Sequence, residues 1–213
     1  MVQMHGVGDR SMKILSIDGG GYLGLATAAF VNGIERHFGK RLTDQFELYC
    51  GTSTGAILSL AIAAGKTGAE LVDLYTKLGK SVFGEWSSVR SALRFGRSIV
   101  TSKYGSTDLQ KALSDTFADL AVGDLRRAGK KILITAFCTT TGAPRLFKTD
   151  HSDNLTLHDK LLVRDVALAS AAAPSFFPLV RLTNPINGVE EEFCDGGVPV
   201  LFRSLSATKR LLI

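Results

Sequence analysis

The sequence predicts an α/β domain built on a largely parallel sheet. Three observations carry that expectation. Short apolar runs of strand length alternate with segments of helical period. Two of those runs end in glycine-containing loops that open directly into helices. The chain also has 213 residues and 45% hydrophobic content, enough to bury one sizeable core.

Taken in order, Lys13 to Ile17 is an apolar run that meets Asp18 and three glycines, the pattern of a buried strand entering a tight loop. From Leu25 to Phe38 the spacing of Ala28, Val31, Ile34 and Phe38 is helical, with Gly39 as the stop. Phe46 to Cys50 predicts a second strand, followed by an apolar helix over 56–64 and another over 67–81. Residues 84–105 are basic and serine-rich, and are expected to form a helix or lid-like excursion. Ser106 suits an N-cap for a helix presenting Leu109, Leu113 and Phe117 on one face. Lys131 to Cys138 predicts a third strand and Arg145 to Lys148 an edge strand. A helix over 163–173 stops at Pro174, and Glu192 to Cys194 leads into Asp195-Gly196-Gly197. Residues 1–12 form a polar leader and 13–213 the domain.

No apolar run approaches the roughly 20 residues needed to span a bilayer, and the N-terminus lacks the apolar stretch of a secretory signal. Three scattered cysteines, Cys50, Cys138 and Cys194, suit a reducing compartment and offer no metal-ligand spacing. A cytoplasmic protein, peripheral to the inner membrane face, is therefore expected. The net charge of +5 favours anionic partners in general.

Gly51-Thr52-Ser53-Thr54-Gly55 fits a Gly-x-Ser-x-Gly elbow, with a strand before it and a helix after it. A serine on such a turn is pushed out above the sheet, and the glycines let strand and helix approach closely. The first amides of the new helix then face negative charge growing on a substrate oxygen. Thr52 and Thr54 occupy the x positions and are expected to pack and to cap.

The base is open on the residues alone. His5, His37, His151 and His158 are the histidines, and a Ser53, Asp150, His158 triad is one arrangement. The other is a carboxylate acting directly on the serine. A carboxylate of ordinary acidity (pKa about 4) is a weak base, so this needs burial and a short hydrogen bond. Asp18 and Asp195 share an Asp-Gly-Gly setting that does not tell them apart.

Gly19 to Gly24 also contains Gly-x-Gly-x-x-Gly after a strand. However, the next strand opens into the serine elbow where a dinucleotide fold needs a ribose-binding acid. Consecutive glycines serve better as unhindered amides for an oxyanion.

With these pieces in order, the chain resembles the patatin-like phospholipase family from about Lys13 to Val198. The motifs are DGGGYLG at Asp18 to Gly24, GTSTG at Gly51 to Gly55 and DGG at Asp195 to Gly197. KYGSTDLQKAL from Lys103 and DVALASAAAPSFFP from Asp165 to Pro178 support them. The resemblance implies a three-layer α/β/α sandwich, with Ser53 as nucleophile and Asp195 as base. Gly19, Gly20 and Gly21 would form the oxyanion hole, and Asp18, Gly24, Gly51, Gly55, Gly196 and Gly197 would support the motifs. It further implies membrane phospholipid as substrate, no metal or other cofactor, no nucleic-acid partner, and kinship with anti-phage effectors switched on by cyclic nucleotides. Two departures stand out: Leu23 replaces a usual Arg or Lys, and the chain reads as truncated or altered past Val198. On that account a catalytically inactive lipid- or nucleotide-binding module is the rival expectation.

Arg90, Arg94 and Arg97, with Trp86 nearby, make a basic amphipathic segment that suits an anionic bilayer. Arg126, Arg127, Lys130 and Lys131 read as a solvated turn. The cysteines before the two motifs read as buried apolar side chains, and Pro174 to Pro178 as a turn walling an acyl pocket.

Overall fold

The computed structural model describes residues 12–81, 105–149, 157–174 and 176–198. Strand β1 (Ile14–Ile17) leads through a 3-10 turn into helix α1 (Gly24–Phe38). Strand β2 (Leu48–Thr52) runs into α2 (Thr54–Ala63), then α3 (Gly68–Ser81), α4 (Gly105–Phe117) and α5 (Val122–Arg127). Strands β3 (Lys131–Cys138) and β4 (Ala143–Lys148) follow, then α6 (Val163–Ala171), β5 (Val180–Thr183) and β6 (Glu190–Asp195). The tract at 84–104, which holds Trp86, Arg90, Arg94 and Arg97, lies outside the described residues, as do residues 1–11 of the leader.

The core strands β1, β2 and β3 are parallel, as expected, while β4, β6 and β5 add antiparallel partners. Strand β3 organises the sheet. Along one edge it pairs with β4 from Leu133 to Cys138. Its other edge is shared: β2 takes Lys131 to Thr135, ending at Thr52, and β6 takes Ala136 to Cys138, ending at Asp195. Because β2 is parallel and β6 antiparallel to β3, their C-terminal ends meet head-on at consecutive β3 residues.

Helix α2 is buried at all ten positions and apolar all round, the mark of a helix enclosed by other elements. It lies on β1, β2 and β3 and against α6. Gly55 makes that close approach possible, since a Cβ there would stand 2.1 Å from the Ile17 carbonyl oxygen. On its outer side α1 packs on α3. Glu35 ties these parts together by accepting the Leu42 N–H (2.8 Å) and the Gly68 N–H (2.7 Å). Gly39, in the left-handed region at φ 64°, caps α1. Thr67 and Glu70 form a reciprocal cap at the start of α3.

The structure corrects several expectations. Helix α4 already starts at Gly105, so Ser106 lies within it. Arg126 and Arg127 belong to α5, too short to show helical periodicity in the sequence, and Arg126 forks onto Asp159 through Nε and an Nη atom. Lys130 reaches the Thr43 carbonyl and stands over the Tyr49 ring, so Arg126 and Lys130 are tied down, while Arg127 and Lys131 are exposed as expected. Strand β5 is additional to the strands that the sequence predicts, because four residues holding Arg181 and Thr183 carry little apolar signal.

Arg145 reaches across β3, over Phe193, to hold both oxygens of the buried Glu191 at 2.7 and 2.8 Å. Asn184 donates a further bond to the same carboxylate at 2.9 Å. Arg145→Ala leaves that carboxylate without its cation and is expected to cost roughly 3 kcal/mol in urea unfolding. Joint replacement of Arg145 by Met and Glu191 by Leu should recover much of the loss.

Candidate active site

Ser53 sits in the one-residue junction between β2 and α2, at φ 56° and ψ −128°. Such a backbone costs roughly 1–3 kcal/mol for a non-glycine residue and persists only when its surroundings hold it. They do so from three sides. The Ser53 N–H donates to the Ser170 hydroxyl at 2.9 Å, and that hydroxyl donates to the Thr135 carbonyl at 2.6 Å. The Thr52 and Thr135 hydroxyls bond each other at 2.7 Å, locking β2 to β3 beside the turn. Gly51 makes room below: a Cβ there would lie 2.5 Å from both the Gly55 carbonyl and the Ser59 hydroxyl.

Asp195 arrives from the opposite direction at the tip of β6. Its carboxylate Oδ2 accepts the Ser53 hydroxyl at 2.5 Å, and Oδ1 accepts the Gly197 N–H at 2.7 Å. The backbone is pinned as well. The Asp195 N–H donates to the Ala172 carbonyl at 2.9 Å, and the Gly196 N–H to the Ser170 carbonyl at 3.1 Å. Gly196 lies so close to β3 that a Cβ would stand 2.3 Å from the Thr135 carbonyl oxygen. Asp195 is buried and Ser53 half-buried. A short charge-assisted hydrogen bond of this kind polarises the serine hydroxyl towards attack.

The geometry separates the two aspartates that the sequence left equal. Asp18 is exposed at the start of the glycine loop, and among the described residues no hydrogen bond joins it to Ser53. Gly19 packs directly over the serine, where a Cβ would come within 2.8 Å of Ser53 Cβ. The Gly20 N–H donates to Thr54 Oγ1 at 3.1 Å, so this amide, expected in the oxyanion hole, instead anchors the loop. Thr54 thus braces the glycine loop rather than capping its own helix, and its carbonyl accepts the buried Tyr75 hydroxyl at 2.8 Å. Gly21 has φ 56°. Gly24 abuts the Tyr75 ring, which a Cβ would meet at 2.3 Å.

His158 plays no part at this serine. Its Nδ1 faces the Lys148 backbone and its ring flanks Phe147, both on β4, across β3 from Ser53. His37 is exposed at the end of α1, against Phe38. Asp150, His5 and His151 lie outside the described residues. No group of acids, cysteines and histidines able to hold a metal occurs among the described residues. Phe177, Pro178, Leu168 and Val180 line a cleft of about 380 Å³ between α6 and β5, and Ala172, which anchors Asp195, borders it.

Ser170 lies within the DVALASAAAPSFFP block, but the motif reading gave it no role. It is fully buried in α6, and its signal was only a polar residue within an alanine-rich helix.

A sheet carrying a strained serine elbow, with an aspartate touching it from an antiparallel strand and a glycine loop above, defines the class of the α/β/α serine–aspartate proteins. This chain belongs to the patatin-like phospholipase family, whose model matches residues 15–202. A cGAMP-activated phospholipase of Pseudomonas aeruginosa is 37% identical over 87% of this chain and 52% of its own length. One from Escherichia coli is 30% identical over 93% and 55% respectively. Patatin-17 of Solanum cardiophyllum is 29% identical over 94% and 54%. The crystal structure of VipD from Legionella pneumophila shares the fold at TM-score 0.55 and 16% identity, covering 88% of this chain and 46% of that one. The chain spans about half the length of these relatives.

Two outcomes follow. Ser170→Ala removes the acceptor for the strained Ser53 amide and leaves a buried N–H unpaired. A loss of about 1–3 kcal/mol is expected in urea unfolding, with Ser170→Thr retaining the hydroxyl and losing less. Burial raises the thiol pKa of Cys50 and of Cys194, the latter with the Asp195 charge adding to it. Thiolate is therefore scarcer than usual at neutral pH, and disulfide-exchange labelling of both should be slow in the native protein and fast in urea.

Proposed function

We propose that the chain is a serine acyl hydrolase that cleaves ester bonds of membrane phospholipids, with Ser53 as nucleophile and Asp195 as base. The observation that carries this reading is the 2.5 Å hydrogen bond from the Ser53 hydroxyl to Asp195 Oδ2. Membership of a phospholipase family supports it and supplies the substrate class.

In this mechanism Asp195 takes the hydroxyl proton as Ser53 Oγ attacks the ester carbonyl carbon. The tetrahedral intermediate carries its charge on the former carbonyl oxygen. The first hydrogen bonds of α2 are made by Ala56 and Ile57 to the Ser53 carbonyl, so the Thr54 and Gly55 amides lie outside its ladder. With the Gly19 and Gly21 amides of the loop, they are the donors we assign to the oxyanion. Collapse expels the lysolipid alcohol, which leaves with the proton from Asp195, and an acyl-serine remains. Asp195 then deprotonates a water that attacks the acyl carbon, and the fatty acid departs as the proton returns to Ser53. None of these steps calls on a metal.

The bacterial relatives are named for activation by cGAMP. We carry a cyclic dinucleotide over as the activator class for this chain, and we place the reaction at a membrane surface. Among the described residues no helix is long and apolar enough to cross a membrane.

Phospholipid hydrolysis, followed as fatty-acid release with and without cGAMP, tests the reading. Ser53→Ala and Asp195→Asn should each lower turnover by at least about 10³-fold. A fluorophosphonate probe should label the parent chain and not the Ser53→Ala variant. Folded parent protein that neither reacts with the probe nor releases fatty acid would leave a lipid- or nucleotide-binding module instead.

A further inference from the structure

Helix α1 buries Ala28 and Val31 against the core, yet the helix and the turn before it also expose large apolar side chains. Leu23, Phe30 and Phe38 are 73%, 68% and 65% exposed. At 3.6 residues per turn, Phe30 and Phe38 fall about 80° apart round the axis, and with Leu23 they make one stripe about 22 Å long. One end of that stripe is the lip of the site: a Cβ on Gly20 would stand 3.4 Å from Leu23 Cβ. At the other end Arg36, His37 and Lys40 are exposed. Between Gly19 and Thr43 the one acid is Glu35, and both its oxygens are occupied by the Leu42 and Gly68 amides. The surface thus carries large apolar side chains and a net positive far end, where exposed Arg36, Lys40 and Arg41 outnumber the exposed Asp44; at the near end Asp18 is exposed beside the glycine loop.

We propose that the exposed face of α1 carrying Leu23, Phe30 and Phe38 is the surface by which this chain docks on an anionic lipid bilayer, with the helix lying along the membrane so that both the glycine-loop lip and the Arg36, His37 and Lys40 end reach it. The inference rests on the phospholipid reading above for its choice of partner. Exposed aromatic side chains can enter the boundary between headgroups and acyl chains, while Arg36, His37 and Lys40 meet anionic headgroups. A bilayer supplies both the apolar layer and the negative charge. An isologous dimer through this stripe would instead oppose it with itself, leaving its cations without an acidic partner.

Flotation with vesicles of phosphatidylcholine plus phosphatidylglycerol tests this, read in a Ser53→Ala background so that the lipid stays intact. Phe30→Ser with Phe38→Ser should weaken vesicle binding by at least about tenfold. In the active chain the same pair should slow vesicle hydrolysis yet leave cleavage of a dissolved short-chain ester unchanged, and both side chains are exposed enough that folding should persist. Unaltered vesicle binding by the double variant would overturn the proposal. So would equal binding to vesicles of phosphatidylcholine alone, or a parent dimer in sedimentation equilibrium that the double variant dissociates. Stripe-dependent vesicle binding by a chain that hydrolyses no ester would sink the hydrolase reading while sustaining this one.

Discussion

Two strands that end nose to nose on one edge of β3 are the constraint on which the site depends. Thr52 of β2 lies opposite Thr135, and Asp195 of β6 lies opposite Ala136, its neighbour. With β2 parallel and β6 antiparallel to β3, the chain leaves both strands at the same place. A hydroxyl and a carboxylate 142 residues apart in sequence are thereby brought into hydrogen-bonding contact. The sheet does not merely support the pair; its mixed polarity creates it. An all-parallel sheet would carry its next strand alongside β2 rather than against its end.

The strained serine at this junction is held by groups whose own positions are fixed. Ser170 is central because it serves both partners. Its hydroxyl takes the Ser53 amide, its carbonyl takes the Gly196 amide, and the helix that carries it rests on β3 and β6. The glycines contribute by what they omit. At Gly19, Gly51, Gly55 and Gly196 a single methyl would collide with backbone or with the serine itself. Serine, aspartate, loop and helix can therefore approach to distances that larger residues forbid. Thr54 links the glycine loop to this assembly through the Gly20 amide, so the loop and the elbow form one unit.

Electrostatics divides the molecule in a related way. Several cations are committed to structural partners: Arg145 to Glu191, Arg126 to Asp159, and Lys130 to the Thr43 carbonyl. Glu35 is spent internally on backbone amides. With Glu35 turned inward onto those amides, Arg36, His37 and Lys40 are left exposed at the C-terminal end of α1, a local positive character that the overall charge does not localise.

Much of this could be read in the sequence. Strand–glycine–helix transitions at Asp18 and Ser53, the eight-residue β3, and the helical periods of α1, α3 and α4 are local patterns, written within a few residues of one another. Local patterning decides secondary structure because apolar spacing and glycine placement act over one or two turns. Strand β5 and helix α5 were not legible, because four and six residues carry too little periodicity. Above all, the choice between Asp18 and Asp195 belonged to the tertiary structure. Both stand before paired glycines, and only strand direction and register on β3 bring one carboxylate to the serine. The same holds for Ser170 and for the Gly20 amide, since hydrogen bonds between distant segments have no signature in the residues that make them.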